Sequence, residues 1–93
     1  MSNIQLPAKV KISDDVLFQQ VGGEGVLLDM GSEQYFGLDD ISLRIWEILS
    51  ENESVENLFT VLINEYDVTE DVLKQDIANV IETLAADKLI TLE

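Results

Sequence analysis

The sequence predicts an α+β domain in which a three-stranded antiparallel sheet is followed by three helices, in a winged-helix-like arrangement. Between residues 16 and 38, three short apolar segments alternate with glycine-containing turns, a pattern typical of a β meander. From residue 40 onward, apolar residues recur three and four positions apart, which indicates amphipathic helices. Because strand and helix patterns are segregated along the chain, an α+β architecture is favoured over alternating βα units.

The strand patterns cover residues 16–21, 26–30 and 34–38. The run 22–25, Gly-Gly-Glu-Gly, predicts the first turn, because glycine adopts the positive φ angles that tight hairpins require. Residues 31–33, Gly-Ser-Glu, predict the second turn. A sheet of three short strands needs a covering layer, and we expect the helices to supply it.

Each helix pattern starts beside a residue that can cap it. Asp39 or Asp40 precedes a helix over residues 40–51, Ser54 precedes a second helix, and Thr69 precedes a third. The apolar stripes that we expect to face the core are Ile41, Ile45, Ile48 and Leu49; Val55, Leu58, Phe59, Leu62, Ile63 and Tyr66; and Leu73, Ile77, Val80, Ile81 and Leu84.

Ninety-three residues are enough for one modest core, which we assign to a single domain over residues 14–93. Residues 1–13 contain Pro7 and two lysines and are predicted to form a flexible arm. Residues 89–92 predict a last extended segment. The N-terminus lacks the continuous apolar region of a signal peptide, so a cytoplasmic location is the expectation.

Nineteen acidic and five basic residues give a formal net charge of −14. Such a chain repels phosphate backbones and anionic lipid, so we expect neither a nucleic-acid nor a membrane partner. A winged helix that reads DNA stays open as an alternative, but its recognition helix over residues 69–88 would carry five acids against Lys74 and Lys88.

The sequence offers little catalytic chemistry. Histidine and cysteine are absent, which removes the commonest general base and the strongest nucleophile. Neighbouring acids such as those at 14–15, 39–40 and 70–71 do not share a face, and no calcium-loop or phosphate-loop spacing occurs. We therefore expect no enzyme, no catalytic residue, no metal and no cofactor.

Binding of a peptide or protein remains. In a meander the first and third strands are the edges, and an extended peptide can add to a free edge. The third helix has two flanks beside its core stripe, and the pattern does not choose between them as the wall of such a site. One flank holds Val72, Asp76, Asn79 and Thr83; the other holds Lys74, Ala78 and Ala85.

Several of these segments together resemble the PqqD family, the small leader-peptide-binding domains also called RiPP precursor recognition elements. The resemblance covers about residues 9–91 and lies in VLLDM, the glycine-containing turn, YFGLDD leading into ISLRIWEIL, SVENLFTVLINEYDV and LAADKLI. Many family members have Asn where this chain has Asp39, a change that preserves the capping oxygen.

The resemblance implies a PqqD-like peptide-binding domain that holds the leader segment of a ribosomally made precursor and presents its core to modifying enzymes. It implies that the leader adds as a strand to the third strand and lies against the third helix. Carried onto this chain, backbone pairing falls to Gln34, Tyr35, Phe36 and Gly37, and the helical wall to Val72, Asp76, Asn79, Val80 and Thr83.

The resemblance also implies a separate partner enzyme. A free-standing domain of this size is similar to the recognition proteins of lasso-peptide clusters, which work with a leader peptidase and a cyclase. The alternative is a peptide chaperone of pyrroloquinoline quinone biosynthesis, acting with a radical SAM enzyme. An acidic regulator that binds a partner protein through its helices stays open as well.

Overall fold

The computed structural model describes residues 6–93 and has the predicted α+β class. The strands are β1 Val10–Ile12, β2 Val16–Val21, β3 Glu24–Asp29, β4 Gln34–Leu38 and β5 Ile90–Leu92. The helices are α1 Asp40–Glu51, α2 Val55–Glu65 and α3 Glu70–Ala86. Asp39, Ser54 and Thr69 cap the three helices, each accepting a hydrogen bond from an amide three residues further on.

Strands β2, β3 and β4 form an antiparallel sheet in that order. The first turn is shorter than predicted: only Gly22 and Gly23 have positive φ, and β3 already begins at Glu24. Gly25 is therefore a buried strand residue and not part of the turn. A two-residue turn with positive φ at both positions matches the twist of the strands it joins, so the hairpin needs no further loop residues.

The structure corrects the predicted arm over residues 1–13. Val10–Ile12 pairs antiparallel with β5, and the side chain of Val10 is completely buried. The amide of Val10 donates to the backbone oxygen of Glu53, and the amide of Ile12 donates to the Glu53 carboxylate at 2.9 Å. These contacts join the segment to distant parts of the chain, so it is held firmly. Residues 1–5 of the predicted arm lie outside the described residues.

The core lies between the inner face of the β2–β3–β4 sheet and the three helices. Leu27 from the sheet and Trp46 from α1 are buried in it, as are most residues of the α2 and α3 stripes, while Phe59, Ile63 and Val80 are only partly buried. Tyr66 does not face the core as predicted: it caps the C-terminus of α2 and is 37% exposed. Helix α1 approaches the sheet closely at Gly25: a Cβ atom there would lie 2.6 Å from Leu43 Cδ1 and 3.2 Å from Phe18 Cε1. The missing side chain of Gly25 is thus what allows α1 to rest on β3.

This close approach predicts that Gly25→Ala lowers the free energy of unfolding by about 1–3 kcal/mol, because Leu43 and Phe18 must both move to admit a methyl group. Urea denaturation followed by the fluorescence of the buried Trp46 measures the effect. Gly37→Ala is the matched control, since a Cβ at that strand position meets nothing within 4 Å. Equal midpoints for the two variants would contradict the packing argument.

Candidate functional site

Strand β4 is an edge of its sheet. It pairs with β3 on one side, and no other strand of the described part of the chain pairs with its second side. An edge strand exposes backbone amides and carbonyls that can pair with another extended chain. The second side of β4 is thus available for hydrogen bonding.

The two-residue turn determines which β4 residues present those groups. Val21 and Glu24 flank the turn and form a hydrogen-bonded pair, and such pairs alternate along an antiparallel ladder. The same alternation accounts for the hydrogen bond from the amide of Met30 to the backbone oxygen of Asp15 at 2.9 Å. On β3 this alternation directs the backbone N–H and C=O groups of Gly25, Leu27 and Asp29 towards β4. Their partners there are Leu38, Phe36 and Gln34.

The remaining β4 residues, Tyr35 and Gly37, therefore direct their backbone N–H and C=O groups to the free edge. Sequence reasoning assigned backbone pairing to Gln34 and Phe36 too, but the backbone groups of these residues are directed towards β3. Phe36 contributes its side chain instead: it is half-buried, packs against the core and borders the cavity beside the strand.

That cavity, of about 620 Å³, opens between β4 and the C-terminal half of α3. Six of the nine sequence-predicted site residues line it, while Gln34, Val72 and Asp76 do not. The complete lining is Tyr35, Phe36, Gly37, Leu38, Asp39, Ser42, Asn79, Val80, Thr83, Leu84, Asp87 and Leu89. Strand and helix residues that are more than forty positions apart in sequence thus border one space.

The structure also distinguishes the two flanks of α3. Asn79 and Thr83 line the cavity, and Val72 and Asp76 lie on the same flank but closer to the start of the helix. Lys74, on the other flank, lies over the ring of Phe59 from α2, 5.8 Å from its centroid. The flank that begins with Val72 is therefore the one that faces the cavity, and both Val72 and Asp76 are exposed along it.

Six lining residues escaped sequence reasoning. Leu84 was assigned only to the core, although its position on α3 lets it border the cavity too. Asp87 and Leu89 enter because α3 ends in a tight C-terminal turn: Lys88 has φ of 62°, and the amide of Leu89 donates to Leu84 at 2.9 Å. A left-handed lysine in place of the usual glycine gives this ending a weak sequence signal. Leu38, Asp39 and Ser42 complete the set at the junction of β4 and α1.

The charged side chains of the sheet and its connections are all negative. Residues 13–43 contain seven acidic residues and no lysine or arginine; the acids are Asp14, Asp15, Glu24, Asp29, Glu33, Asp39 and Asp40. Hydrogen bonds to the Asp39 carboxylate from the side chain of Ser42 and from its amide, the latter at 2.8 Å, lower the pKa of Asp39. Within residues 6–93, no group of three or more acidic side chains is arranged to hold a metal ion, and none of the helices is long and apolar enough to cross a membrane.

The capping bond at Asp39 predicts a difference between two substitutions. Asp39→Ala removes the acceptor and lowers the free energy of unfolding by about 1 kcal/mol, whereas Asp39→Asn keeps an acceptor oxygen and changes it far less. A lowered pKa in the folded state means that the charged cap stabilises the protein above the unfolded pKa, about 3.9, and that this stabilisation is lost as the pH falls below it.

Urea titrations from pH 7 down to pH 3 measure both effects. The wild-type protein is expected to lose more stability over this range than Asp39→Asn, whose cap does not titrate. Parallel losses in the two proteins would show that the Asp39 carboxylate contributes nothing through its charge.

Comparisons with known proteins place the chain. The family model described as "Coenzyme PQQ synthesis protein D (PqqD)" matches residues 24–90. A solved structure, TbiB1 in complex with the TbiA(beta) leader peptide, is 34% identical with a TM-score of 0.80, covering 86% of this chain and 93% of that one. Lasso peptide synthetase B1 complexed with the leader peptide is 26% identical with a TM-score of 0.77, covering 92% and 100%. Curated proteins yielded no match. With the family model covering most of its length, this chain belongs to the PqqD family.

Proposed function

We propose that this protein is a non-catalytic recognition element that binds the leader segment of a ribosomally synthesised precursor peptide by strand addition and delivers it to a separate processing enzyme. The observation that carries this proposal is the free edge of β4, bordered by a cavity whose other wall is α3. The two similar solved structures support it, because both are complexes with a leader peptide.

The alternation along β4 gives the proposed contacts. Tyr35 and Gly37 each donate one backbone hydrogen bond to the leader and accept one from it. Side chains of an added strand alternate in direction, so every second leader residue faces the cavity. Because Phe36, Leu84 and Leu89 give this cavity an apolar surface, we expect a leader residue with an apolar side chain to occupy it.

Helix α3 forms the other wall of the proposed site. Asn79, Val80 and Thr83 border the cavity itself. Val72 lies seven positions before Asn79, which at a rise of 1.5 Å per residue extends the wall by about 10 Å along the helix. Val72 and Asp76 would then contact a leader segment beyond the strand-paired part, with an apolar and an acidic side chain respectively.

The partner enzyme that we propose is a leader peptidase, acting with a cyclase, of the lasso-peptide type. Structural similarity to a lasso peptide synthetase B1 supports this choice. The second candidate is a radical SAM enzyme of pyrroloquinoline quinone biosynthesis, which the description of the matching family favours. In either pathway this chain supplies peptide binding, and the enzyme supplies the chemistry.

The direction of the Gly37 amide gives a direct test of strand addition. Gly37→Pro removes an N–H that faces the free edge and leaves the β3 ladder intact, so the domain is expected to fold while leader affinity falls at least about tenfold. Gly37→Ala retains the N–H and is the matched control. Fluorescence anisotropy with the labelled leader of a precursor peptide from the same organism measures binding, and circular dichroism verifies folding.

Unchanged affinity in a folded Gly37→Pro variant would exclude pairing at this edge. The absence of saturable binding to the wild-type protein would overturn leader recognition for that peptide. A leader with proline introduced in its central part provides the reciprocal test, since it lacks the matching amide on the peptide side.

Charge predicts the kinetics of the same encounter. A net charge of −14, with no basic residue between positions 13 and 43, attracts a basic leader and accelerates its association. We expect the association rate, measured by stopped-flow fluorescence, to fall as sodium chloride is raised from about 50 to about 500 mM. Added salt shortens the Debye length and therefore screens the attraction between the two charged molecules. An association rate that does not depend on salt would show that electrostatic steering is unimportant.

A further inference from the structure

The sheet has a second surface that the proposed leader site does not use. Side chains on the side of β2, β3 and β4 away from the helices form what we call the outer sheet face: Leu17, Val21, Val26, Leu28, Met30 and Tyr35. Four of them are large and well exposed, namely Leu17 at 44%, Val21 at 62%, Met30 at 51% and Tyr35 at 67%. The register aligns Leu17, Leu28 and Tyr35 in one row across all three strands.

Nothing in the described part of the chain covers this face. The inner-face residues Phe18, Leu27 and Phe36 pack towards the core, where the helices lie. Exposed single apolar residues are ordinary, but a contiguous set on one face of a small sheet marks an interaction surface. The outer sheet face thus has the character of a docking site.

The negative charge around the outer sheet face indicates which kind of partner can bind there. Glu24 lies on the outer face, Asp15 and Glu33 lie in the adjoining turns, and no lysine or arginine occurs between residues 13 and 43. A second copy would bring the same acids against one another, and an anionic membrane would be repelled in the same way. A protein with an apolar patch surrounded by lysine and arginine residues complements this face.

The face is also continuous with the leader site. Tyr35 belongs to both: its backbone groups point to the free edge of β4, and its side chain lies on the outer face. A protein seated on the outer face would therefore stand beside a leader bound at that edge. This is the position required of an enzyme that acts on the same peptide.

The geometry points to the outer sheet face as the docking surface for the processing enzyme, a protein with an apolar patch and a basic rim. This inference rests on the proposed function, which supplies the enzyme as a partner. It assigns the two tasks of the domain to different surfaces, with the leader at the β4 edge and the enzyme on the face beside it.

The test uses Leu17→Lys and Met30→Lys, which place a positive charge within the face and leave the β4 backbone unchanged. Leu92→Lys is the matched control, because Leu92 is a comparably exposed apolar strand residue, at 53%, but lies in β5. Surface plasmon resonance with a purified leader peptidase from the same organism measures enzyme binding. Anisotropy with the labelled leader measures peptide binding on the same variants.

We expect both face variants to lose enzyme affinity at least about tenfold while they keep wild-type leader affinity, and the Leu92 control to keep both. Wild-type enzyme affinity in the face variants would overturn the inference, and so would the absence of enzyme binding to the wild-type protein. The leader titration on the same proteins tests leader recognition separately from either result. Sedimentation velocity adds one further outcome: a wild-type dimer that Leu17→Lys dissociates would make a second copy the occupant and would also overturn it.

Discussion

The arrangement of the site depends on the junction between β4 and α1. Only Asp39 separates the last strand residue from the first helical residue, so the direction of the helix is set within a single residue. The Asp39 carboxylate accepts from the amide of Ser42 at 2.8 Å, and its backbone oxygen accepts from the amide of Leu43 at 2.8 Å. These two bonds start the helix at an angle that carries it over the inner face of the sheet, where Leu43 comes to rest on Gly25. The outer edge of β4 consequently stays uncovered.

A second constraint fixes the opposite end of the cavity. The amide of Leu89 binds back to the end of α3, and the Leu89 oxygen accepts from the amide of Ser13 at 3.0 Å. Directly after Leu89 comes β5, which pairs with β1, and β1 is in turn bound to Glu53 in the α1–α2 connection. The cavity residue Leu89 is therefore held directly by Leu84 and Ser13, and indirectly through the pairing of β5 with β1. An N-terminal segment that contributes no lining residue still contributes to the shape of the site.

Local patterns predicted much of this fold, because local physics determines it. The caps at Ser54 and Thr69, and the choice between Asp39 and Asp40, concern hydrogen bonds within three residues. By contrast, β1 is three residues long and its partner lies about eighty positions away, so neither the length nor the periodicity of the segment predicts a strand there. Gly25 was wrongly predicted to belong to the turn for a related reason. Its neighbours Gly22 and Gly23 do form a turn, whereas Gly25 is a strand residue that leaves room for Leu43, eighteen positions later.

The site shows the same division. Which α3 flank faces the strand depends on how the helix packs in the fold: Asn79 and Thr83 line the cavity, and Lys74 on the other flank lies over Phe59 of α2. Which β4 residues offer their backbone depends on the alternation of hydrogen-bonded pairs along the ladder, and the position of the two-residue turn at Gly22 and Gly23 fixes that alternation. A change of one residue in that alternation would exchange the roles of Phe36 and Tyr35.

Each residue of β4 therefore contributes its backbone or its side chain either to the sheet or to one of the two proposed binding surfaces. Along its length, the backbone of Gln34, Phe36 and Leu38 maintains the sheet, while that of Tyr35 and Gly37 is free. Side chains divide the other way, since Phe36 and Leu38 face the core and cavity and Tyr35 lies on the outer face. Five residues thus serve the sheet, the proposed leader edge and the proposed enzyme face at once. Gly37 carries no side chain to any of these surfaces and contributes only its backbone N–H and C=O groups, which face the free edge.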